Sequence, residues 1–315
     1  MIETVKKNKL VFGGFVITFI GALFFSTKAI LVKLAFENTQ TDAVTLLALR
    51  MLFALPFYVA IGLFASNKKS NVYFTRRQWI YILLLGLTGY YISSLFDFIG
   101  LQYVSAGLER LILFIYPTLA VVLNAIIFRQ KVNGYQKLAM VLTYLGIGIA
   151  FWGEMKIDSS NPQFFVGSFF CFLCAVTFAI YIVGSGKMIG ETGATKFTSY
   201  AMIAAASGIF IHYFATGKTV HHMDSNLLLY GFLLGIFATV IPTFFMSNGI
   251  KKIGSSNAAI ISSIGPVSTI LQAHFILGER ITVAQIIGTI LVIIGVLLIG
   301  WRTREHSITA QKVIN

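Results

Sequence analysis

The sequence predicts an all-α polytopic membrane protein in which ten transmembrane helices form two inverted five-helix repeats. Three observations predict this fold: a composition too poor in charge for a soluble protein, ten evenly spaced apolar segments, and an internal repeat. The chain of 315 residues is 57% hydrophobic and 11% charged, whereas soluble domains carry about 25% charged residues. A protein of this composition presents its surface to lipid rather than to water.

Ten segments are long and apolar enough to cross a bilayer, which takes about 20 residues of helix. The connections between them are short and leave no room for a soluble domain. An uncharged run follows Lys6, Lys7 and Lys9 and exceeds the apolar core of a signal peptide, so we expect it to be retained as the first span. The predicted spans cover residues 12–36, 43–65, 78–97, 105–128, 135–153, 164–186, 195–216, 226–248, 255–277 and 283–301.

The basic residues predict the orientation of these spans, because cytoplasmic loops retain Lys and Arg. With the amino terminus inside, seventeen of the 24 basic residues lie on the cytoplasmic side. Only Lys156, Lys218 and Arg280 lie on the opposite side, and four more lie within spans or near their ends. We therefore expect a multi-pass protein of the bacterial inner (cytoplasmic) membrane with both termini in the cytoplasm.

An internal repeat relates the two halves of the chain. A shift of 149 residues places Pro117 on Pro266 and Trp152 on Trp301, although the chain has only five Pro and three Trp. Each copy holds five spans, an odd number, so the second copy must cross the membrane in the opposite sense. The predicted repeats cover residues 12–153 and 164–301. Further matches at shifts of 149 or 154 residues are Gly100 with Gly249, Gly146 with Gly295, Gly13 with Gly167, and Lys33 with Lys187.

Several short motifs occur in the two halves of the chain. They are Phe25 to Phe36 (FSTKAILVKLAF), Ala48-Leu-Arg50, Leu101 to Arg110 (LQYVSAGLER) followed by Tyr116-Pro117, and Gly265-Pro266 with Leu277-Gly-Glu-Arg280. These motifs resemble the EamA family of the drug/metabolite transporter superfamily. One departure is that residues 128–131 read Phe-Arg-Gln-Lys, without the acidic residue of the matching second-half motif. The resemblance implies ten helices, two repeats of this kind, and export or exchange of metabolites, amino acids or drugs.

Several other classes of function lack their sequence features. The chain has no Gly-x-x-x-x-Gly-Lys phosphate loop, so we expect no ATP-driven pumping. Its basic residues form short clusters rather than a continuous face, which argues against nucleic-acid binding. Cys171 and Cys174 lie in an apolar stretch and are interpreted as packing residues. We predict no cofactor, metal site or catalytic centre, and the alternatives are an intramembrane enzyme or a non-transporting receptor or assembly partner.

Ionisable residues inside the predicted membrane are the candidate site. A charge at the centre of a membrane helix costs about 2.5 to 3.5 kcal/mol, so each one needs a partner or a water-filled cavity. The depth of each residue in its span places all of them in the outer half of the membrane and in the first repeat. The six residues are Lys28, Lys33, Arg50, Asp97, Glu109 and Arg110.

Two interpretations of this set are open. In the first, Lys28 and Arg50 line an outward-opening cavity that attracts an anionic group such as a carboxylate. Asp97 or Glu109 then takes up a proton or balances the charge. In the second, these four residues pair with one another in an ionic clasp that holds the outer ends of four helices together. Lys33 is expected to extend toward the membrane surface, as is Arg110.

The sequence thus predicts a secondary transporter, an exporter driven by a proton gradient or by exchange, with no enzymatic activity. Its expected partners are the lipid bilayer, a small-molecule substrate carrying a carboxylate, and protons as candidate coupling ions. Further candidates for the substrate or proton pathway are Tyr90, Tyr116 and His274. Pro117 and Pro266 are candidate gating kinks, because proline removes a backbone hydrogen bond from a helix.

Overall fold

The computed structural model is all-helical over the residues it describes, which are 2–67, 73–127, 129, 132–157, 161–218, 224–253, 261 and 264–314. Within them, eight helices are long and apolar enough to cross a membrane, and a shorter apolar helix covers Val283–Leu298. Residues 255–260, 262 and 263 of the ninth predicted span lie outside the described residues, so ten crossings stay a prediction. The eight candidate spans are Phe12–Thr39, Ala43–Ser66, Arg76–Leu101, Ala106–Ile127, Gly134–Lys156, Phe164–Gly186, Ala194–Ala215 and Ser225–Met246.

Short irregular segments interrupt several of the helices. Segments of π-helix lie at Leu87–Ile92, Ile236–Val240 and Ala273–Leu277. A turn at Phe114 and Ile115 divides another helix into two α-helical pieces. We number the helices α1 (Ile2–Thr39), α2 (Ala43–Ser66), α3 (Arg76–Leu101), α4 (Ala106–Ile127), α5 (Gly134–Ile157), α6 (Phe164–Thr192), α7 (Ala194–Ala215), α8 (225–253), α9 (265–277) and α10 (Val283–Ile314).

Capping side chains fix where some of these helices begin. The Asp42 carboxylate accepts two backbone N–H groups at the start of α2. Thr75 and Gln78 form a reciprocal capping box before α3. Such caps satisfy N–H groups that have no partner inside the helix. Helix α3 consequently begins at Arg76, two residues before the predicted span, and it ends at Leu101, four residues beyond that span.

The helices of the first half pack mainly against those of the second. Helices α5 and α10 make the most extensive contact, and α2 packs along α7. Helix α1 packs on α8 and α9, while α6 packs on α3 and α4. Helix α2 also contacts α8, and α7 contacts α3. The buried side chains therefore form an interior that both halves share.

An ion pair joins the α1–α2 turn to the loop after α7. The Lys218 ammonium contacts the Asp42 carboxylate, which also accepts the Thr45 hydroxyl at 2.7 Å. Partial burial opposes ionisation of Asp42, but the hydrogen bonds from Lys218 and Thr45 outweigh burial and hold its pKa below the ordinary aspartate value. Nearby, the Asn38 amide donates to the Tyr230 hydroxyl at 2.7 Å. This face is thus linked across the two halves at two points.

Candidate functional site

A buried ion pair joins α1 to α3. The Lys28 ammonium lies 2.6 Å from Oδ2 of Asp97. The Asp97 side chain is 1% exposed and the Lys28 side chain 16%. In a low-dielectric interior the two opposite charges attract each other strongly, whereas burying either charge alone would cost its solvation free energy. The structure therefore brings together two of the residues singled out in the sequence, from different helices.

Glu109 on α4 adds a second carboxyl group to this pair. Its side chain is fully buried, and its carboxyl lies beside that of Asp97. Among the described residues, only the Lys28 ammonium approaches either carboxylate as a donor. Two acidic groups without solvent exposure thus share one cation, an arrangement that disfavours full ionisation of both acids.

Arg50 on α2 is held by neutral groups rather than by a carboxylate. Its Nε donates to Oγ1 of Thr239 at 2.8 Å, and its Nη1 donates to Oγ of Ser94 at 3.2 Å. The guanidinium carbon also lies 5.6 Å from the centroid of the Phe98 ring. Arg50 is buried. Its positive charge is therefore fixed in place by α2, α3 and α8, and no carboxylate of the described residues forms a direct ion pair with it.

Arg110 lies one residue beyond Glu109 and faces α9. Its guanidinium carbon lies 5.8 Å from the centroid of the Phe114 ring. A Cβ atom at Gly265 would come within 3.1 Å of its Nη2, so glycine at this position leaves room for the guanidinium. Its Nε is buried and donates to no acceptor among the described residues. Arg110 is thus a second interior cation with spare hydrogen-bonding capacity.

The two candidate gating prolines follow breaks in their helices. Ile115 N–H bonds to the carbonyl of Ile112 at 3.0 Å, a tight turn just before Pro117. Ile264 N–H bonds to the carbonyl of Ile261 at 3.3 Å, just before Pro266. A proline has no N–H group for the carbonyl four residues earlier and its ring clashes with that carbonyl, so a break in the preceding turn is expected. The structure places these breaks in α4 and immediately before α9.

Aromatic side chains form a row beside the charged residues. The Tyr116 ring packs edge-on against Phe178, with 5.0 Å between ring centroids, and Phe178 stacks on Tyr181 at 5.9 Å. The hydroxyl of Tyr181 donates to that of Tyr90 at 3.1 Å. Tyr90 and Tyr116, both candidates from the sequence, are therefore connected through α6. Tyr181 was not singled out in the sequence, because one tyrosine in an apolar run carries no distinguishing pattern.

His274 lies elsewhere, on an exposed side of α9. Its Nδ1 is 2.9 Å from the backbone carbonyl oxygen of Glu279. The Glu279 carboxylate in turn accepts the backbone N–H groups of Ala106 at 2.9 Å and Gly107 at 3.3 Å. It therefore caps the first turn of α4, three residues before Glu109. The signal for this cap was the Leu277-Gly-Glu-Arg280 motif, whose partner the sequence could not identify.

A separate groove of about 460 Å³ opens between α3 and α7. Its walls are mostly apolar, and they include Tyr91 and His212, whose hydroxyl and Nδ1 lie 2.9 Å apart. Lys28, Asp97 and Glu109 do not line it. In the described part of the chain, no three His, Cys, Asp or Glu side chains are grouped as a metal ion would require.

The sequence matches the profile of the EamA-like transporter family over residues 12–152 and 165–301. The uncharacterized transporter YcbK of Bacillus subtilis (strain 168) is 30% identical over 302 residues, which span 91% of this chain and 92% of that protein. The uncharacterized transporter YyaM of the same organism is 26% identical, over 76% of this chain and 80% of its own length.

More distant similarity extends to plants and to a solved structure. The WAT1-related protein At5g07050 of Arabidopsis thaliana is 24% identical over 78% of this chain and 70% of that protein. A protein crystal structure superposes with a TM-score of 0.64 and 18% sequence identity, covering 90% of this chain and 95% of the other. At this identity, the superposition indicates a shared fold.

Proposed function

Because the chain belongs to the EamA-like transporter family and is a multi-pass membrane transporter, we propose that it is a secondary transporter. The proposed activity is export of a small solute through a site formed by Lys28, Asp97 and Glu109. The proposed scaffold has ten membrane-spanning helices in two inverted repeats, the architecture of many secondary transporters. The proposed location is the bacterial inner membrane, with both termini in the cytoplasm.

Backbone contacts between α5 and α10 support the inverted repeat. A Cβ atom on Gly146 would lie 2.6 Å from the carbonyl oxygen of Gly288. A Cβ atom on Gly295 would lie 2.7 Å from that of Ala139. The 149-residue shift turns the first contact into the second with the partners exchanged. Such reciprocity is what a two-fold axis between the helices produces.

The helix pairs and local backbone features support the same axis. The α1–α8 and α6–α3 contacts are equivalent under exchange of the halves, as are α2–α8 and α7–α3. Three features of local structure also recur 149 residues apart. They are the π segments beginning at Leu87 and Ile236, the tight turns at Ile115 and Ile264, and the helix caps at Asn133 and Thr282.

The observation that carries the proposed site is the group of buried charges drawn from α1, α2, α3 and α4. A membrane protein buries such charges at considerable cost, and intramembrane ionisable residues commonly mark the path of a solute or ion. Lys28, Asp97 and Glu109 form its centre, and Arg50 lies within electrostatic reach of Asp97. A solute that enters this site would be bound between the two halves, where rocking motions give access to either side.

The guanidinium groups support an anionic group on the solute. Arg50 is bound by hydroxyls, and the Arg110 Nε has no acceptor in the described part of the chain. A carboxylate would offer both groups the charge-assisted hydrogen bonds that they lack. The row of aromatic side chains beside them, from Tyr116 to Tyr90, would contact the apolar part of the same solute. We therefore propose a substrate that carries a carboxylate.

The proposed energy source is a proton gradient or exchange with a second solute. The sequence contains no nucleotide-binding loop, and the paired carboxyl groups offer a place where a proton can bind. The breaks before Pro117 and Pro266 are proposed as the points where α4 and α9 bend during the cycle. Neither alternative, an intramembrane enzyme or a non-transporting receptor, has a specific observation in its favour in the described residues.

A two-stage experiment tests this function. Purified full-length protein is first screened by thermal shift against carboxylate-bearing metabolites, amino acids and drugs, because a ligand of the native state raises the apparent stability. A stabilising compound is then measured for flux from proteoliposomes with and without an imposed pH gradient. Flux above that of protein-free liposomes is expected, with its loss in Arg50→Ala. A stabilising compound that is not transported by correctly inserted protein would contradict the proposal.

A further inference from the structure

We propose that Asp97 and Glu109 share one proton in this conformation, carried on Glu109 and donated to the Asp97 carboxylate. This inference rests on the proposed function, because it identifies the atoms at which a coupling proton would bind. Both acids are buried, and neither side chain has access to solvent.

Donors are scarce around the two carboxyl groups. Asp97 has the Lys28 ammonium at 2.6 Å. Both oxygens of Glu109 lack a donor among the described residues. A carboxylate that is removed from water and accepts no hydrogen bond loses its solvation without compensation. An ionised Glu109 is therefore disfavoured, whereas a protonated Glu109 needs only one acceptor for its hydroxyl.

The adjacent carboxylate provides that acceptor. With the proton on Glu109, its O–H donates to Asp97, and the Asp97 charge is balanced by Lys28. The three groups together are then neutral. Without this proton they would carry one net negative charge, with two carboxylates facing each other as in acid pairs that share a proton.

Other charged and titratable groups face the two acids, but none of those described donates a hydrogen bond to them in place of the proton. Arg50 from α2 is engaged by the hydroxyls of Thr239 and Ser94. Arg110 follows Glu109 on α4 and stacks on Phe114. The remaining facing groups are the buried thiols of Cys171 and Cys174 on α6.

The site binds and releases the proton without any other bond changing. On release, the Glu109 O–H bond breaks and the proton passes to water on the side to which the site has opened. The resulting carboxylate is then stabilised by that water. On rebinding, a proton from water restores the O–H···O hydrogen bond to Asp97. The inferred capacity is one proton for each copy of the chain.

Infrared difference spectroscopy tests this directly, without any solute. Full-length protein in detergent at neutral pH is compared with E109Q, which keeps the shape of the side chain and removes the titratable group. The matched control is E37Q, because Glu37 is an exposed glutamate at the end of α1. The readout is the C=O stretch of a protonated carboxyl group, assigned by its shift in heavy water.

The expected result is one such band in the wild-type protein, its loss in E109Q and its retention in E37Q. Circular dichroism and gel filtration establish that each variant is folded. The inference is overturned if folded E109Q keeps the wild-type band, or if the wild-type protein has no band. Transport is measured separately in proteoliposomes. If the band behaves as expected but a pH gradient does not alter flux, the proton site stands and the proposed proton coupling fails.

Discussion

Arg50 on α2 donates through Nε to Oγ1 of Thr239, 2.8 Å away in the π segment of α8. The Thr239 hydroxyl donates its own proton to the Leu234 carbonyl at 2.8 Å. Its lone pairs are therefore directed to the guanidinium, and one threonine connects an interior cation of the first half to the backbone of the second. The irregular backbone of the π segment is what places Thr239 at this point.

Replacing Thr239 tests whether this bond positions Arg50. Thr239→Val keeps the side-chain shape but removes the acceptor, so we expect a loss of about 1.5 to 3 kcal/mol in unfolding free energy, typical of a hydrogen bond to a charged group. Solute flux in proteoliposomes should fall as well. Thr239→Ser keeps the hydroxyl and serves as the control. Equal stability and flux in the Val and Ser variants would rule out this role.

A double-mutant cycle on Lys28 and Asp97 distinguishes a transport site from an ionic clasp. Lys28→Met leaves the Asp97 charge without its cation, and Asp97→Asn leaves Lys28 without its anion. Each single change should cost about 3 kcal/mol in thermal or denaturant unfolding, because it strands a buried charge. The double variant should recover most of that stability, since no unpaired charge is left.

Flux through the same double variant decides between the two interpretations. A transport site requires these charges, so we expect a folded, monodisperse protein without measurable flux. A clasp requires only that the helices stay together, so wild-type flux in the double variant would establish the clasp instead. Lys137→Ala, at an exposed position on α5, is the control for the general effect of removing a lysine.

The close approach of α5 and α10 predicts different outcomes for two nearby glycines. Gly146→Ala places a Cβ atom 2.6 Å from the Gly288 carbonyl oxygen, and we expect destabilisation by about 1 to 3 kcal/mol from overpacking. Gly148→Ala meets nothing within 4 Å. It should be neutral or stabilising by up to about 1 kcal/mol, because alanine favours helix. Thermal unfolding of both variants in one detergent compares them, and equal midpoints would contradict the backbone contact.

The Asp42–Lys218 ion pair predicts a pH-dependent contribution to stability. The pKa of Asp42 is lowered in the folded protein, so its stabilising contribution is complete above the unfolded pKa. It is lost as the pH falls through the folded pKa. Asp42→Asn removes the charge but keeps a good helix cap. The difference in melting temperature between wild type and this variant should shrink at acid pH and at high salt, and a difference that grows on acidification would contradict the assignment.

Cysteine labelling tests the proposed orientation. A membrane-impermeant maleimide should label Glu37→Cys in intact cells, because the end of α1 is proposed to lie outside. It should label Lys137→Cys only after the membrane has been permeabilised, because the start of α5 is proposed to lie in the cytoplasm. Both positions are exposed, and the native Cys171 and Cys174 are buried and define the background. The reverse pattern would place the termini on the outer face and overturn the proposed topology.

The sequence predicted the helices well where apolar runs end at capping residues. Asp42 is followed by an uninterrupted apolar segment, and α2 begins at Ala43, as predicted. The EamA resemblance is confirmed by the family match. The interruption at Phe114 was not predicted, because Pro117 marks a kink in general but does not fix which residues lose helical geometry. The π segment at Leu87–Ile92 carries no comparable signal.

The charged residues were identified individually, whereas their partners depend on how each helix is rotated. Lys28 and Asp97 were grouped with Arg50 and Glu109, but hydropathy alone could not decide which of them would meet. The partners of Arg50 include Thr239, one hydroxyl among many in these helices. His274 is a candidate from the sequence because it is an imidazole in an apolar run, and the structure places it at an exposed position. Tertiary packing determines such choices, and a single sequence records it only indirectly.

The Glu279 cap on α4 indicates which helix contact would break first during a conformational change. If the α9–α10 turn moves away, the N–H groups of Ala106 and Gly107 lose their acceptor, but water that enters at this end of α4 can replace it at small cost. The Lys28–Asp97 pair deeper inside has no such substitute. The contact between α4 and the α9–α10 turn should therefore break first, at Glu279. Water should reach the Lys28–Asp97 pair only after this turn has been released.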